Sequence, residues 1–229
     1  MTDRGMSVSD AAAFPKGYPS AAKAATARAR SLAARRAGVP TPAVLGQAGP
    51  KILSFERIDA RGQPSLAEIV RVVAHLHRMS GNGLGRFDPF LRIRPRLAGA
   101  PARIGAMAEE LMARDAALHW PKCAAIHGDL HPGQVVRDSS GKVWLIDLDD
   151  MALAPAEADL GNLAAWLATQ VPGRLGDLAQ GALEQVSALA RDADRTWTGH
   201  FCQIALVRRG LKLAGKGQGW VIDQLSLRA

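Results

Sequence analysis

The chain is short of the residues on which several kinds of function depend. It has one tyrosine, five phenylalanines and five tryptophans in 229 residues. Aromatics this sparse, not interleaved with the basic residues, give little support for stacking on nucleobases. The only cysteines, Cys123 and Cys202, lie far apart and form no ligand-type pair. They read as two buried thiols in a reducing, cytoplasmic compartment. No apolar run approaches the ~18 residues that a membrane span needs. The opening Met1-Thr-Asp-Arg-Gly-Met-Ser-Val lacks the basic-then-apolar layout of a signal peptide. No membrane partner is expected. Acidic residues are in the minority, 21 against 29 basic, for a net charge of +8. Such a balance attracts nucleic acid, nucleotides or anionic lipid. The basic residues are dispersed, however, and their one local concentration (Lys16, Lys23, Arg28, Arg30, Arg35, Arg36) reads as a solvated helix face. A nucleic-acid partner is therefore not the expectation.

A chain of this length forms one large domain or two small lobes and can bury a core. Residues 1–19 hold Pro15, Gly17 and Pro19 and read as irregular or weak strand. Ser20 caps a helix that Gly38, Pro40 and Pro42 stop after Ala37. Lys51 to Arg57 reads as a strand. Ser65 to Met79 reads as an amphipathic helix with Leu66, Ile69, Val70, Val73 and Leu76 on one face. Pro101 opens a further helix. Short apolar stretches at Cys123–Ile126, Val135–Val136 and Val143–Ile146, with a turn at Asp138-Ser-Ser-Gly, predict strand, loop and hairpin. Helices are expected again at 157–169, 174–193 and 196–214. The widely spread tryptophans 120, 144, 166, 197 and 220 read as packing residues. The whole is an α+β chain, with a small part containing strands followed by a larger helical part.

The chemically informative stretch is His127-Gly-Asp129-Leu-His131-Pro-Gly-Gln134, followed by Leu145-Ile-Asp147-Leu-Asp149-Asp150. Phosphoryl transfer needs a carboxylate near the attacking hydroxyl and oxygen ligands that hold Mg²⁺ against nucleotide phosphates. Asp129 and, five residues on, the side-chain carbonyl of Gln134 supply part of this. A hairpin leading out of the loop can return a second carboxylate, Asp147. The triplet His127-x-Asp129-x-His131 also has the alternation of a zinc-binding strand, but Pro132-Gly133 turns the chain at once.

His127-Gly-Asp129-Leu-His-Pro-Gly-Gln134 resembles the catalytic loop of the aminoglycoside phosphotransferase and choline kinase-like family, H-G-D-L-H-P-G-N. Ile146-Asp147-Leu-Asp149-Asp150 resembles its metal-binding segment, and Glu157-Ala-Asp159-Leu its next acidic position. Ala37-Gly-Val-Pro-Thr-Pro42 and the helix ending His75-Leu-His77 also sit where that family has similar segments. The resemblance implies a two-lobed protein kinase-like fold, ATP as donor, Mg²⁺ as cofactor and a small-molecule hydroxyl as acceptor. Asp129 would be the catalytic base, and Asp147 with Gln134 the metal ligands. Lys16 would contact the nucleotide phosphates. His127 and Asp159 would support the loop, and Asp149 and Asp150 stand as substrate-side candidates. The lobes would be residues 1–60, a reduced nucleotide-side lobe, and 61–229, a helical lobe carrying the catalytic loop.

Three departures from the pattern bear on activity. Gln134 replaces Asn, only fifteen residues precede Lys16, and no glutamate occurs before Glu56 to pair with that lysine. Two readings follow: a phosphotransferase acting on an aminoglycoside, sugar or amino alcohol, or a catalytically weak or inactive pseudokinase serving as a binding module.

Overall fold

The computed structural model describes residues 13–170 and 175–214. The expectations for residues 1–12, the start of the helix at 174 and Trp220 lie outside them. The chain folds as two compact units. One takes the described residues through Met79 together with Pro132–Met151, and the other takes Ser80–His131 and the described residues from Ala152 on. The chain thus passes between the units three times, rather than dividing once near residue 60.

In the first unit, strands β1 (Ala13–Gly17), β2 (Val44–Gly49) and β3 (Ile52–Glu56) form an antiparallel sheet in the order β1-β3-β2. Phe14 faces Phe55 and Lys16 faces Leu53 across the first pair. Helix α1 (Ala21–Arg36) begins where the Ser20 side chain accepts a hydrogen bond from the Lys23 amide at 3.2 Å, an N-cap. Its buried positions, Ala24, Ala27, Ser31 and Ala34, are all small. Gly38, at φ 81°, takes the left-handed turn that ends it.

Helix α2 (Leu66–His77) opens with a capping box between Ser65 and Glu68 and buries Ile69, Val70, Val72, Val73 and Leu76. Glu68 also accepts from Arg137, which ties the helix to the hairpin of β5 (Val135–Arg137) and β6 (Val143–Leu145). Asp138 locks the hairpin turn. It accepts from the Ser140 hydroxyl, from the Trp144 indole and from the Lys142 and Ser140 amides, and these bonds, the Ser140 hydroxyl foremost, hold its carboxyl down at about 2.

The second unit is mainly helical: α3 (Ala102–Ala117), α4 (Glu157–Ala168), α5 (Leu175–Leu189) and α6 (Arg195–Ala214), with one antiparallel pair, β4 (Ala124–Ile126) and β7 (Ala152–Ala154). Helix α4 is buried along nearly its whole length and packs against α5 and α6. Gly161 permits that approach, because a Cβ there would lie 2.6 Å from the Cys202 nitrogen and 2.7 Å from the Thr198 oxygen. Cys202 is buried, and burial pushes its thiol up to about 12. Cys123 is only partly buried, against expectation, and both thiols are free. No described helix is long and apolar enough to cross a membrane.

Candidate active site

Each unit carries part of the predicted constellation. In the first, the Lys16 ammonium, on β1, donates to Asp147 Oδ1 at 2.6 Å and lies 2.7 Å from Asp149 Oδ2. Burial alone would lower its pKa, but the hydrogen bonds and charges of the two aspartates outweigh that and hold it above the ordinary lysine value. The acidic partner that α1 cannot provide thus comes from the segment after β6. Tyr18 donates to Asp149 Oδ1 at 3.2 Å. Arg30 on α1 donates to the Asp149 carbonyl, so α1 braces the short 3₁₀ turn Leu148–Asp150. Asp150 is exposed at the end of that turn.

Asp147 has φ 60°, and it is the one described non-glycine residue in the left-handed region. Aspartate tolerates that conformation better than most residues, and strain of this kind collects at functional sites. Gln134 Nε2 donates to Asp147 Oδ2 at 3.3 Å, so Gln134, Asp147 and Lys16 meet at one carboxylate. A cavity of about 400 Å³ opens here, lined by Phe14, Phe55, Val136, Ile146 and Leu148 and by Lys16, Gln134, Asp147 and Asp149.

In the second unit, Asp129 follows Gly128, whose φ of 82° turns the chain. Asp159 on α4 fixes that turn, accepting from the His127 amide at 2.7 Å and the Gly128 amide at 3.0 Å. Asn162, one turn on, donates to the Leu130 carbonyl at 2.7 Å. His127 is fully buried, and its Nδ1 accepts from the Asp129 amide at 3.4 Å. The Asp129 carboxylate is held at both oxygens, by Arg208 on Oδ1 and Arg92 on Oδ2, each at 3.0 Å. Burial would raise its pKa, but the charges of Arg208 and Arg92 prevail and hold it below the usual carboxylate range.

Sequence reasoning missed Tyr18, Arg92, Asn162 and Arg208. Asn162 and Arg208 carry a local signal, a polar residue inside an apolar helical stretch. Arg92 reaches Asp129 across 37 positions, and no local pattern announces it.

The Mg²⁺ implied above can be tested against the donors present. The Lys16 ammonium acts as a stand-in cation, within 2.7 Å of an oxygen from each of Asp147 and Asp149. Two convergent carboxylates beside a side-chain amide suit a hard cation that completes its shell with phosphates and water. Among the described residues no three His, Cys, Asp or Glu side chains gather as ligands. A closed protein cage of the zinc type is therefore not formed there by His127-x-Asp129-x-His131.

A family model described as "Phosphotransferase enzyme family" matches residues 12–195. No curated protein matches the sequence. Among solved structures, aminoglycoside phosphotransferase APH(3'')-Id from Streptomyces rimosus, solved with ADP and streptomycin, is similar at 21% identity over 87% of this chain and 88% of its own, with a TM-score of 0.62. Choline kinase LicA from Streptococcus pneumoniae is similar at 14% identity over 93% and 82%, with a TM-score of 0.66. Amicoumacin kinase hAmiN, solved with AMP-PNP, Ca²⁺ and Ami, is similar at 15% over 89% and 72%, with a TM-score of 0.57. The fold is the kinase-like α+β fold of these proteins.

Proposed function

Because this chain belongs to the phosphotransferase enzyme family, we propose that it transfers the γ-phosphate of ATP to a hydroxyl of a small molecule. One observation carries the reading: in the first unit, Lys16 and Asp147 are paired in the lining of an apolar cavity. A nucleoside needs apolar walls, its phosphates need a cation, and a divalent metal needs carboxylates.

Asp147 and Gln134 would hold Mg²⁺, which when bound neutralises charge on the phosphate oxygens. The Lys16 ammonium exchanges carboxylate oxygens for phosphate oxygens when nucleotide enters. Asp149, bonded to Lys16 and Tyr18, belongs with this phosphate side. Asp129 accepts a hydrogen bond from the acceptor hydroxyl, aligns it for attack and takes its proton as the new O–P bond forms and the bond from the γ-phosphorus to its bridging oxygen breaks, with ADP leaving. Its two arginines keep it ionised. They also weaken it as a base, which a loose transition state tolerates because little nucleophilic push is required. His127, Asp159 and Asn162 hold the loop that presents it.

A second reading, a nucleotide-binding module without turnover, is favoured by Gln134. Its amide turns Nε2 toward Asp147, so the terminal amide must rotate to offer its oxygen to a metal.

Thermal-shift titration with Mg·ATP tests the first reading, with stabilisation expected. Failure to bind millimolar Mg·ATP would sink it. Asp147→Ala is expected to remove the metal dependence of binding. Asp129→Asn is expected to spare binding and lower turnover by roughly 10²–10⁴-fold; undiminished turnover refutes the role of Asp129. Binding without turnover on any hydroxyl acceptor decides for the second reading.

A further inference from the structure

The Lys16 ammonium sits between two carboxylates of the first unit, 2.6 Å from Asp147 Oδ1 and 2.7 Å from Asp149 Oδ2. Each carboxylate has a further support. Asp149 accepts from the Tyr18 hydroxyl on Oδ1 at 3.2 Å, and its carbonyl accepts from Arg30 on α1. Asp147, at φ 60°, opens the 3₁₀ turn Leu148–Asp150, and its Oδ2 accepts from Gln134 Nε2 at 3.3 Å. Lys16 arrives from a different element, β1, whose register is set by pairing with β3, Lys16 opposite Leu53. A tethered cation is thus delivered onto a pair of carboxylates that other groups hold in place.

An ammonium is a compact point charge on a flexible four-carbon stem, so it can leave the carboxylates without moving β1. A small divalent cation sheds its water reluctantly and competes poorly for two carboxylates already neutralised by that charge. A polyphosphate changes the balance, because it offers the ammonium other oxygens. Nucleotide without metal is also disfavoured, since drawing Lys16 away leaves two like charges facing each other.

Resting on the reading of Asp147 as a metal ligand in a nucleotide site, we infer that Lys16 is an internal counter-ion that closes the metal position until polyphosphate draws its ammonium away. Divalent metal and nucleotide then bind interdependently, each tightening the other by the same factor. One side chain serves both states: it contacts phosphate when nucleotide is bound and excludes metal when it is not.

Mn²⁺ is the probe, because it shares the oxygen preference of Mg²⁺ and its electron paramagnetic resonance signal broadens on binding, which reads occupancy without turnover. Wild-type chain without nucleotide should bind Mn²⁺ weakly. Lys16→Met, also without nucleotide, should bind it roughly 10- to 100-fold more tightly. Lys16→Arg, which keeps a cation on the stem, should stay near wild type. Adding Asp149→Asn to Lys16→Met should remove most of the gain, which ties the bound ion to this pair of carboxylates. Far-ultraviolet dichroism establishes that the variants fold, and Lys16→Gln replaces Lys16→Met if the latter does not. Nucleotide-free Mn²⁺ binding that is equal in wild type and Lys16→Met overturns the inference, as does a gain that survives Asp149→Asn undiminished. If Lys16→Met gains Mn²⁺ but wild type fails to bind millimolar Mg·ATP, the reading of the cavity as an ATP site falls and the exclusion of metal by Lys16 stands. If wild type binds Mg·ATP and Lys16→Met gains nothing, only the inference falls.

Discussion

Tyr18 shows how a single residue reports on the Lys16–Asp149 part of the candidate site. It is nearly buried, at 9% exposure, and its hydroxyl donates to Asp149 while the Lys16 ammonium sits 5.4 Å from its ring centroid. Burial, and then the Asp149 charge, push its phenol up to about 12, with Lys16 pulling the other way. A phenol normally titrates near 10. The folded state therefore prefers the neutral form: the associated stability is complete below pH ~10 and is lost as pH rises through about 12. The chain has one tyrosine, so phenolate absorbance reads it alone. The expected midpoint is about 12, and Asp149→Asn should bring it down toward, but not to, the ordinary value, since burial remains. Far-ultraviolet dichroism recorded in parallel separates ionisation from alkaline unfolding. A wild-type midpoint near 10 with the dichroism intact would show that Tyr18 is not held buried beside Asp149 in solution.

At the scale of elements, the crossing of α4 and α6 sets where the loop carrying Asp129 is anchored, because Asp159 and Asn162 both project from α4. Two effects oppose each other at Gly161. Alanine in a helix interior is worth about 1 kcal/mol over glycine. The added Cβ, however, would meet backbone atoms of Thr198, Phe201 and Cys202 at 2.6–2.8 Å, and packed backbone cannot yield as a flexible side chain can. Overpacking wins: Gly161→Ala should destabilise by about 3 kcal/mol, read from the urea midpoint of unfolding. A stabilised variant would mean that the helices lie further apart. Much at this scale was legible. The helices at 21–36 and 66–77 follow from Ser20, Ser65 and apolar spacing, and the β5–β6 hairpin follows from the Asp138 turn. Strand β2 was not, because Gly46, Gln47 and Gly49 are poor strand formers held in place by pairing with β3. Strand β7, Ala-Leu-Ala, has no β-branched residue and exists through its partner β4. In the same way, Asp129 and Asp147 were readable from contiguous motifs, whereas the Arg92 and Arg208 pairs close over 37 and 79 positions and depend on the finished fold.

On the scale of the whole chain, the motif that is continuous in sequence is shared out, with Asp129 in one compact unit and Gln134 and Asp147 in the other. The crossing falls immediately after His131, so the residues that were easiest to read as one motif belong to separately packed bodies. The net charge of +8 is carried by both. An excess of positive charge draws in the polyphosphate of the proposed donor nucleotide over distances that salt controls, since the screening length shortens from about 10 Å at 0.1 M to about 3 Å at 1 M. The Kd for Mg·ATP should rise roughly 3- to 10-fold across that range, while the Kd for uncharged adenosine should stay flat. Calorimetric titrations at four or five salt concentrations decide it. Equal salt dependence for the charged and neutral ligands would confine the basic residues to a local or structural role, and a Kd for Mg·ATP that falls with salt would reverse the sign of the field at the nucleotide.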